Sequence, residues 1–146
     1  MPPNAADLQR IAEAMILAAA AEQLQVPLEP RSMAMPGGAN VDVDGVDAGQ
    51  SVFVEVFMRQ GRLKGPQLDK VARDALKLVT LARTFTATRL VIAFADEAAA
   101  ASVTGQSWLS ESLRIWGVQV LVVPLADDVR ATLRAAQSGG GGASPA

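Results

Sequence analysis

Two acidic residues, Asp44 and Glu55, lie in apolar segments at a spacing that suits neighbouring strands of a hairpin. Glu55 is the only charged residue between Phe53 and Phe57. Asp44, which is followed by Gly45, lies eleven positions before Glu55. An ionised carboxylate is too costly to bury alone, so Glu55 must be protonated, paired with a cation or bound to a metal. Two carboxylates brought together by a hairpin therefore predict a metal site.

The composition restricts the available chemistry, because the chain contains no cysteine, histidine or tyrosine. Cysteine and histidine nucleophiles, Ser-His-Asp triads, zinc sites built on thiolate or imidazole, and disulfides are all excluded. The remaining common schemes use carboxylates and lysines with Mg²⁺ or Mn²⁺, which prefer oxygen ligands. The absence of cysteine also fits a reducing cytoplasm.

Charge is distributed unevenly along the 146 residues, although the net charge is only −2. Residues 1–58 carry two basic and eight acidic side chains, whereas residues 59–89 carry eight basic and two acidic ones. An acidic cluster beside a basic block suits a metal site that acts on a polyanion, with cations holding phosphates. The alternative is an ordinary solvated helix face.

The pattern of apolar residues predicts one α/β domain over residues 1–137, followed by a flexible Gly/Ser/Pro tail at 138–146. A helix, a hairpin and a second helix precede two further strand–helix units, which indicates a three-layer α/β/α sandwich on a mixed sheet. The predicted helices span residues 5–25, 66–83, 108–116 and 127–137, and the predicted strands span 41–46, 51–59, 90–95 and 119–125. The apolar stretch 14–21 is too short to cross a membrane.

In the first helix, Leu8, Ile11, Ala12, Met15 and Ala19 form an apolar stripe at helical spacing. Glu13 shares a second face with Leu17, Ala20 and Leu24, so it is either solvated at the helix margin or directed at a site. In the second helix, a polar strip of Gln67, Lys70, Asp74 and Lys77 either faces substrate phosphates or is simply solvated. Trp108 and Trp116 favour core or domain-edge packing over base stacking.

Residues 5–137 resemble the restriction-endonuclease-like, PD-(D/E)XK nuclease superfamily. The resemblance rests on Val-Asp-Gly at 43–45, the strand that carries Glu55, the Lys-Gly-Pro-Gln helix start at 64–67, and the order of the elements. It implies a restriction-endonuclease-like fold and a magnesium-dependent or manganese-dependent hydrolase that cleaves DNA.

The resemblance also implies roles for individual residues. Asp44 and Glu55 correspond to the two metal-binding acids, with Asp42 as a second choice for the first of them. The carbonyl of Val56 would add a ligand, and Glu13 corresponds to the glutamate that often completes the site from the first helix.

The chain departs from the family at Phe57, which occupies the position of the catalytic lysine. Some members supply this cation from the following helix, so Lys64 and Lys70 are the candidates here. An ion pair of Glu55 with Arg59, Lys64 or Lys70, without a metal, is the structural alternative.

The leading hypothesis is a nuclease that holds DNA through the basic helix, using Lys64, Gln67, Lys70, Arg73 and Lys77. The alternative is a catalytically silent module on the same fold that binds nucleic acid or serves as a subunit. A third possibility is a purely structural or interaction domain. No membrane association is expected, and a homodimer or a partner subunit remains open.

Overall fold

A mixed five-stranded sheet organises residues 4–140, the part of the chain that this computed structural model describes. The elements in chain order are α1 (Ala5–Leu24), β1 (Glu29–Ala34), β2 (Asn40–Val46), β3 (Val52–Phe57), α2 (Gly65–Phe85), β4 (Arg89–Phe94), α3 (Glu97–Ala101), α4 (Trp108–Ile115), β5 (Val118–Val122) and α5 (Asp127–Gly140). The strands lie across the sheet in chain order. Neighbours among β1, β2 and β3 are antiparallel, and neighbours among β3, β4 and β5 are parallel.

Helices cover both faces of the sheet, and every residue of the central strand β3 is therefore buried. Phe53 and Phe57 pack into a core with α2, α3 and α4, whereas Val52, Val54 and Val56 pack into a second core with α1 and α5. The α/β class and the mixed sheet are confirmed, and the arrangement is compatible with three layers. Glu55 shares a face with the two phenylalanines, so its side chain lies on the α2 side.

The β2–β3 hairpin is fixed by Asp47 in its turn. The Asp47 carboxylate accepts hydrogen bonds from the Ser51 N–H at 2.7 Å, the Ser51 hydroxyl at 2.7 Å and the Val52 N–H at 2.9 Å. Burial alone would raise the pKa of Asp47, but these hydrogen bonds lower it below its usual value. Asp47 therefore has a structural role: it sets the register of the hairpin.

The ladder between β2 and β3 is short. It pairs Gly45 with Val54 and Val46 with Phe53, and the earlier part of β2 continues to pair with β1 alone. The sheet therefore has a gap on one side of this ladder. The gap lies next to Gly45, where any larger side chain would overlap Leu17 of α1.

Strand β1 was not predicted, since its sequence reads as part of a loop. Pro30 lies within it, and Pro27 precedes it. A proline is tolerated here because β1 is an edge strand that pairs with β2 alone, so one side of its backbone needs no ladder partner.

The expected apolar stripe of α1 was wrong in part. The buried residues are Ala12, Ile16, Leu17, Ala20 and Leu24, whereas Ile11 is 51% exposed and Met15 is 38% exposed. Alanines lie on nearly every side of this helix, so apolar spacing does not single out the face that packs. The buried face is the one that also carries Glu13.

At the other end of the chain, α5 extends to Gly140, beyond the expected start of the tail at residue 138. Residues 141–146 of that tail lie outside the described residues. Between residues 4 and 140, no helix combines the length and apolar character needed to cross a membrane.

Candidate functional site

Asp44 and Glu55 lie side by side in the gap where β2 and β3 stop pairing. The Asp44 N–H donates to Glu55 Oε2 at 2.9 Å, and the Val56 N–H donates to Asp44 Oδ2 at 2.9 Å. Each carboxylate therefore takes a backbone hydrogen bond from the opposite strand in place of the ladder. The hairpin spacing seen in the sequence does bring the two acids together.

Lys77, in the middle of α2, is the cation that reaches Glu55. Its ammonium donates to Glu55 Oε1 and, at 3.0 Å, to the backbone carbonyl of Asp42. The side chain of Glu55 is only 3% exposed, whereas that of Lys77 is 31% exposed. The ion pair thus forms the inner wall of a site that remains open to solvent on the lysine side.

The structural alternative paired Glu55 with Arg59, Lys64 or Lys70, and none of these three is the cation that contacts it. In a strand–helix–strand crossover the helix runs back along the sheet, so a residue in its middle comes level with the strand interior. Lys77 meets this condition, whereas Lys64 lies at the N-cap of α2 and is exposed.

The charges around Glu55 disfavour its ionised form. Burial and the neighbouring carboxylate of Asp44 raise the pKa of Glu55 to about 7, against the smaller opposing effects of Lys77 and the Asp44 N–H. Burial would lower the pKa of Lys77, but the contact with Glu55 and the charges of Asp74 and Asp44 raise it above its usual value. Lys77 is therefore an ammonium ion at neutral pH, and it does not offset both acids.

The two carboxylates line a cleft of about 560 Å³ bounded by α1, α2 and α5. The polar strip predicted on α2, comprising Gln67, Lys70, Asp74 and Lys77, lies along one wall of this cleft. The polar side chains of this strip already have hydrogen-bond partners: Lys70 donates to Asp74 at 3.0 Å, and Gln67 Oε1 accepts from the Lys64 N–H at 2.9 Å. Asp74 is buried, so this strip is more than a solvated face.

Phe57, at the position of the family's lysine, belongs to the core. It is 3% exposed, and its ring centroid lies 5.1 Å from that of Phe94. The ammonium of Lys70 lies 5.3 Å from the Phe57 centroid, within the range of a cation–π interaction. Lys70 is thus held over the aromatic ring and by Asp74, while Lys77 takes the contact with Glu55.

Glu13 of α1 is half-buried and lines the same cleft as Asp44 and Glu55. Across residues 4–140, however, no three acidic, histidine or cysteine side chains lie close enough together to hold a metal on their own. Any metal bound by Asp44 and Glu55 would need further ligands from backbone, water or substrate.

A second cavity of about 450 Å³ adjoins the cleft on the side of α1 and β1. It shares Glu13, Asp44 and Val56 with the cleft, and its wall includes Arg10 and Arg31. Asp44 therefore lines both openings.

Asp96 is a further buried carboxylate, and it was not among the predicted site residues. Its Oδ1 accepts from Arg130 at 2.8 Å with Arg134 at 3.7 Å, and its Oδ2 accepts from the N–H groups of Gly61 at 2.8 Å and Ala99 at 3.1 Å. Burial alone would raise the pKa of Asp96, but these partners together lower it. An Asp directly after a strand and before an alanine run is an N-cap pattern that could have identified it.

Comparison with protein-family models, with curated proteins and with solved structures gives no significant match for this chain.

Proposed function

We propose that the chain is a metal-dependent nuclease that hydrolyses phosphodiester bonds of DNA. The observation that carries the proposal is the pair of adjacent carboxylates, Asp44 and Glu55, set against Lys77 in an open cleft. Well-packed apolar residues can be as stabilising as a buried ion pair, or more so. A cluster in which one lysine faces two acids is therefore better explained by a ligand than by stability.

The donor atoms of the site fit a magnesium or manganese ion. Asp44 and Glu55 each use one oxygen for a backbone N–H, and Glu55 uses its other oxygen for Lys77. Mg²⁺ is commonly held by one or two carboxylates together with water and substrate phosphates. Asp44, Glu55 and the Val56 carbonyl would hold such an ion, which would polarise the phosphate and lower the pKa of a bound water.

We assign to Lys77 the catalytic role of the strand lysine that Phe57 replaces. An ammonium has three donors, and two of them are accounted for by Glu55 and the Asp42 carbonyl. The third can donate to a water or to a phosphate oxygen and so stabilise negative charge as the phosphodiester is attacked. Lys70 and Lys64 keep a role in holding substrate rather than in the chemistry.

The path of the DNA strand follows from the cations around the cleft. Lys70 lines the cleft, and Lys64 and Arg73 are exposed on the same helix. Arg10 and Arg31 line the second opening beside Asp44. We therefore propose that a strand crosses the gap between β2 and β3 with phosphates near both groups. Gln67 contributes less, because its carbonyl oxygen caps α2.

The order of the elements supports a restriction-endonuclease-like fold as part of the same proposal. The order is a helix, three antiparallel strands, a crossover helix and a parallel strand. The acid pair lies at the end of the β2–β3 hairpin where the two strands no longer pair. A cytoplasmic location, where DNA and Mg²⁺ are both present, completes the proposal.

A catalytically silent nucleic-acid-binding module is the second candidate. The burial of Phe57 favours this candidate, because the family's catalytic lysine is replaced by a core residue. The ion pair of Glu55 with Lys77 favours it too, because a partly neutralised pair of acids binds a metal less strongly. This candidate retains the basic helix but predicts no cleavage.

The test is nicking of supercoiled plasmid in Mg²⁺ or Mn²⁺, with EDTA as the blank. We expect Asp44→Asn and Lys77→Met to lower the rate on the order of 100-fold or more, since each removes a group that stabilises transition-state charge. Lys70→Met, on the same helix, removes a cation assigned to holding the substrate rather than to the chemistry, so it should lower the rate only a few-fold.

Cleavage that survives Asp44→Asn at the wild-type rate would contradict the proposal, because the acid pair would then not be needed for it. Loss of cleavage in Lys70→Met but not in Lys77→Met would return the catalytic role to Lys70. A folded wild type that binds DNA but cuts neither duplex nor single strands in either metal would establish the silent module.

A further inference from the structure

An exposed apolar face lies on α2 and α4, away from the acid pair. Leu76 is 65% exposed, Trp108 74%, Ile115 78% and Trp116 61%, although all four are large apolar side chains. Between the two helices runs a groove of about 530 Å³ that shares no lining residue with the cleft. The sequence predicted that the two tryptophans pack in the core or at the domain edge, and core packing was wrong because both are mostly exposed.

The size of this face matches one half of a dimer interface. A covered tryptophan buries roughly 150–250 Å², so the four side chains together offer on the order of 500 Å² of apolar surface. A stable interface buries about 800 Å² on each partner, and about 65% of it is apolar in homodimers. The face therefore supplies the apolar share that a homodimer of standard size requires.

The charges on α4 are complementary to themselves. Glu111 and Arg114 are both exposed and lie one turn apart on the same flank of the helix. When two copies of α4 pack antiparallel about a two-fold axis, each flank of one helix faces the same flank of the other. The two facing flanks run in opposite directions. Glu111 then lies against the partner's Arg114, and Trp108 approaches the end of α4 where the partner's Trp116 lies.

We propose that this face is the interface of a two-fold symmetric homodimer in which α4 packs antiparallel against the partner's α4. The apolar groove between α2 and α4 then receives apolar side chains from the second copy. The inference rests on these exposed residues alone and does not depend on the nuclease proposal.

The first test is the mass of the full chain in solution, measured by sedimentation at tens of micromolar protein. We expect twice the mass of one chain for the wild type. Trp116→Glu should weaken association on the order of 30-fold or more, as expected when a charge replaces an aromatic anchor of the interface. Ile11→Glu on α1 is the matched control, since Ile11 is also exposed but lies elsewhere, and it should remain dimeric.

The second test exchanges the charges. Glu111→Arg alone and Arg114→Glu alone each bring like charges together twice in the dimer, so each should weaken association about tenfold or more. Mixing the two single variants in equal amounts should restore a dimer, because each then meets its opposite charge. The double variant should also dimerise, and this recovery cannot arise from misfolding.

A wild type that remains one chain in mass up to about 100 µM, while folded, would overturn the proposal. Dissociation by Ile11→Glu equal to that by Trp116→Glu would place the interface elsewhere and would also overturn it. Failure of the mixed single variants to associate would refute the antiparallel arrangement of α4.

Discussion

Glu55 and Asp96 are carboxylates of almost equal burial, 2% and 3% exposed, and the protein surrounds them in opposite ways. Asp96 accepts two backbone N–H groups and contacts two arginines, so its pKa falls although burial acts to raise it. Glu55 lies beside another acid and has one lysine, so burial and Asp44 raise its pKa to about 7. The two carboxylates differ in the charge of their partners, since Asp96 faces two arginines whereas Glu55 faces one lysine and a second acid.

This difference separates a structural acid from a functional one. Asp96 fastens the loop at Gly61, the start of α3 and helix α5 to the end of β4, and all of its partners are supplied by the chain. Glu55 and Asp44 share a single lysine at a cleft that solvent can enter. Strongly perturbed carboxyl groups in clefts are frequently functional, because the perturbation costs stability unless a ligand offsets it.

The largest effect on stability should come from Asp96→Ala. Removing one partner of a buried ion pair leaves the remaining groups uncompensated, so we expect a loss of about 3 kcal/mol in the free energy of unfolding. Urea denaturation measures it, and Glu22→Ala, at an exposed position of α1, is the control that should change little. A loss below about 1 kcal/mol would mean that Asp96 does not fasten α5.

The pH dependence should distinguish the two acids by sign. The folded protein binds the Glu55 proton more tightly than the unfolded chain does, so the stabilising contribution is complete below pH 4.5 and is lost as the pH rises through about 7. The difference in unfolding free energy between wild type and Glu55→Gln should therefore fall between pH 5 and 8, by at most about 3 kcal/mol.

Asp96 should behave in the opposite way. Its pKa is lowered in the folded protein, so its contribution is complete above the ordinary pKa of an aspartate and is lost on acidification. For Glu55, the contradicting result is a difference in unfolding free energy between wild type and Glu55→Gln that rises between pH 5 and 8. Such a rise would show that Lys77 lowers the pKa of Glu55 more than burial and Asp44 raise it.

A smaller effect should separate two lysines of the same helix. Lys77→Met removes the partner of a buried carboxylate, but Glu55 can take up a proton, so we expect a loss of about 2 kcal/mol at pH 8. Lys70→Met breaks a pair with Asp74 one turn away, in which Lys70 is half-exposed, and should cost at most about 1 kcal/mol. Equal losses in thermal denaturation would place Lys77 in the same class as the surface lysine.

The acid pair could be predicted from the sequence, because hairpin spacing and strand alternation are local properties. Asp44 and Glu55 are separated by a turn whose residues, above all Asp47, fix the register. The α/β class and the mixed sheet also follow from periodicity. Strand β1 does not, because Pro30 obscures it and its strand character depends on pairing with β2.

The lysine partner could not be predicted, because it depends on how α2 lies against β3. The crossover of α2 places Lys77 rather than Lys64 or Lys70 level with Glu55, and spacing along the chain carries no such information. Two partners of Asp96, Gly61 and Arg130, are distant from it in sequence, whereas Ala99 is only three residues away. Long-range contacts of this kind have no local pattern.

The central claim, that Asp44 and Glu55 hold one divalent cation, is tested most directly by the melting temperature during a titration with Mn²⁺. At a metal concentration tenfold above the dissociation constant, binding to the folded state adds about 1.4 kcal/mol. For a chain of this size we expect the wild type to melt about 3–5 °C higher, and Asp44→Asn and Glu55→Gln to show no shift. Asp96→Asn should shift as the wild type does from its own lower starting point. No shift in the wild type, or an equal shift in Asp44→Asn, would contradict the claim.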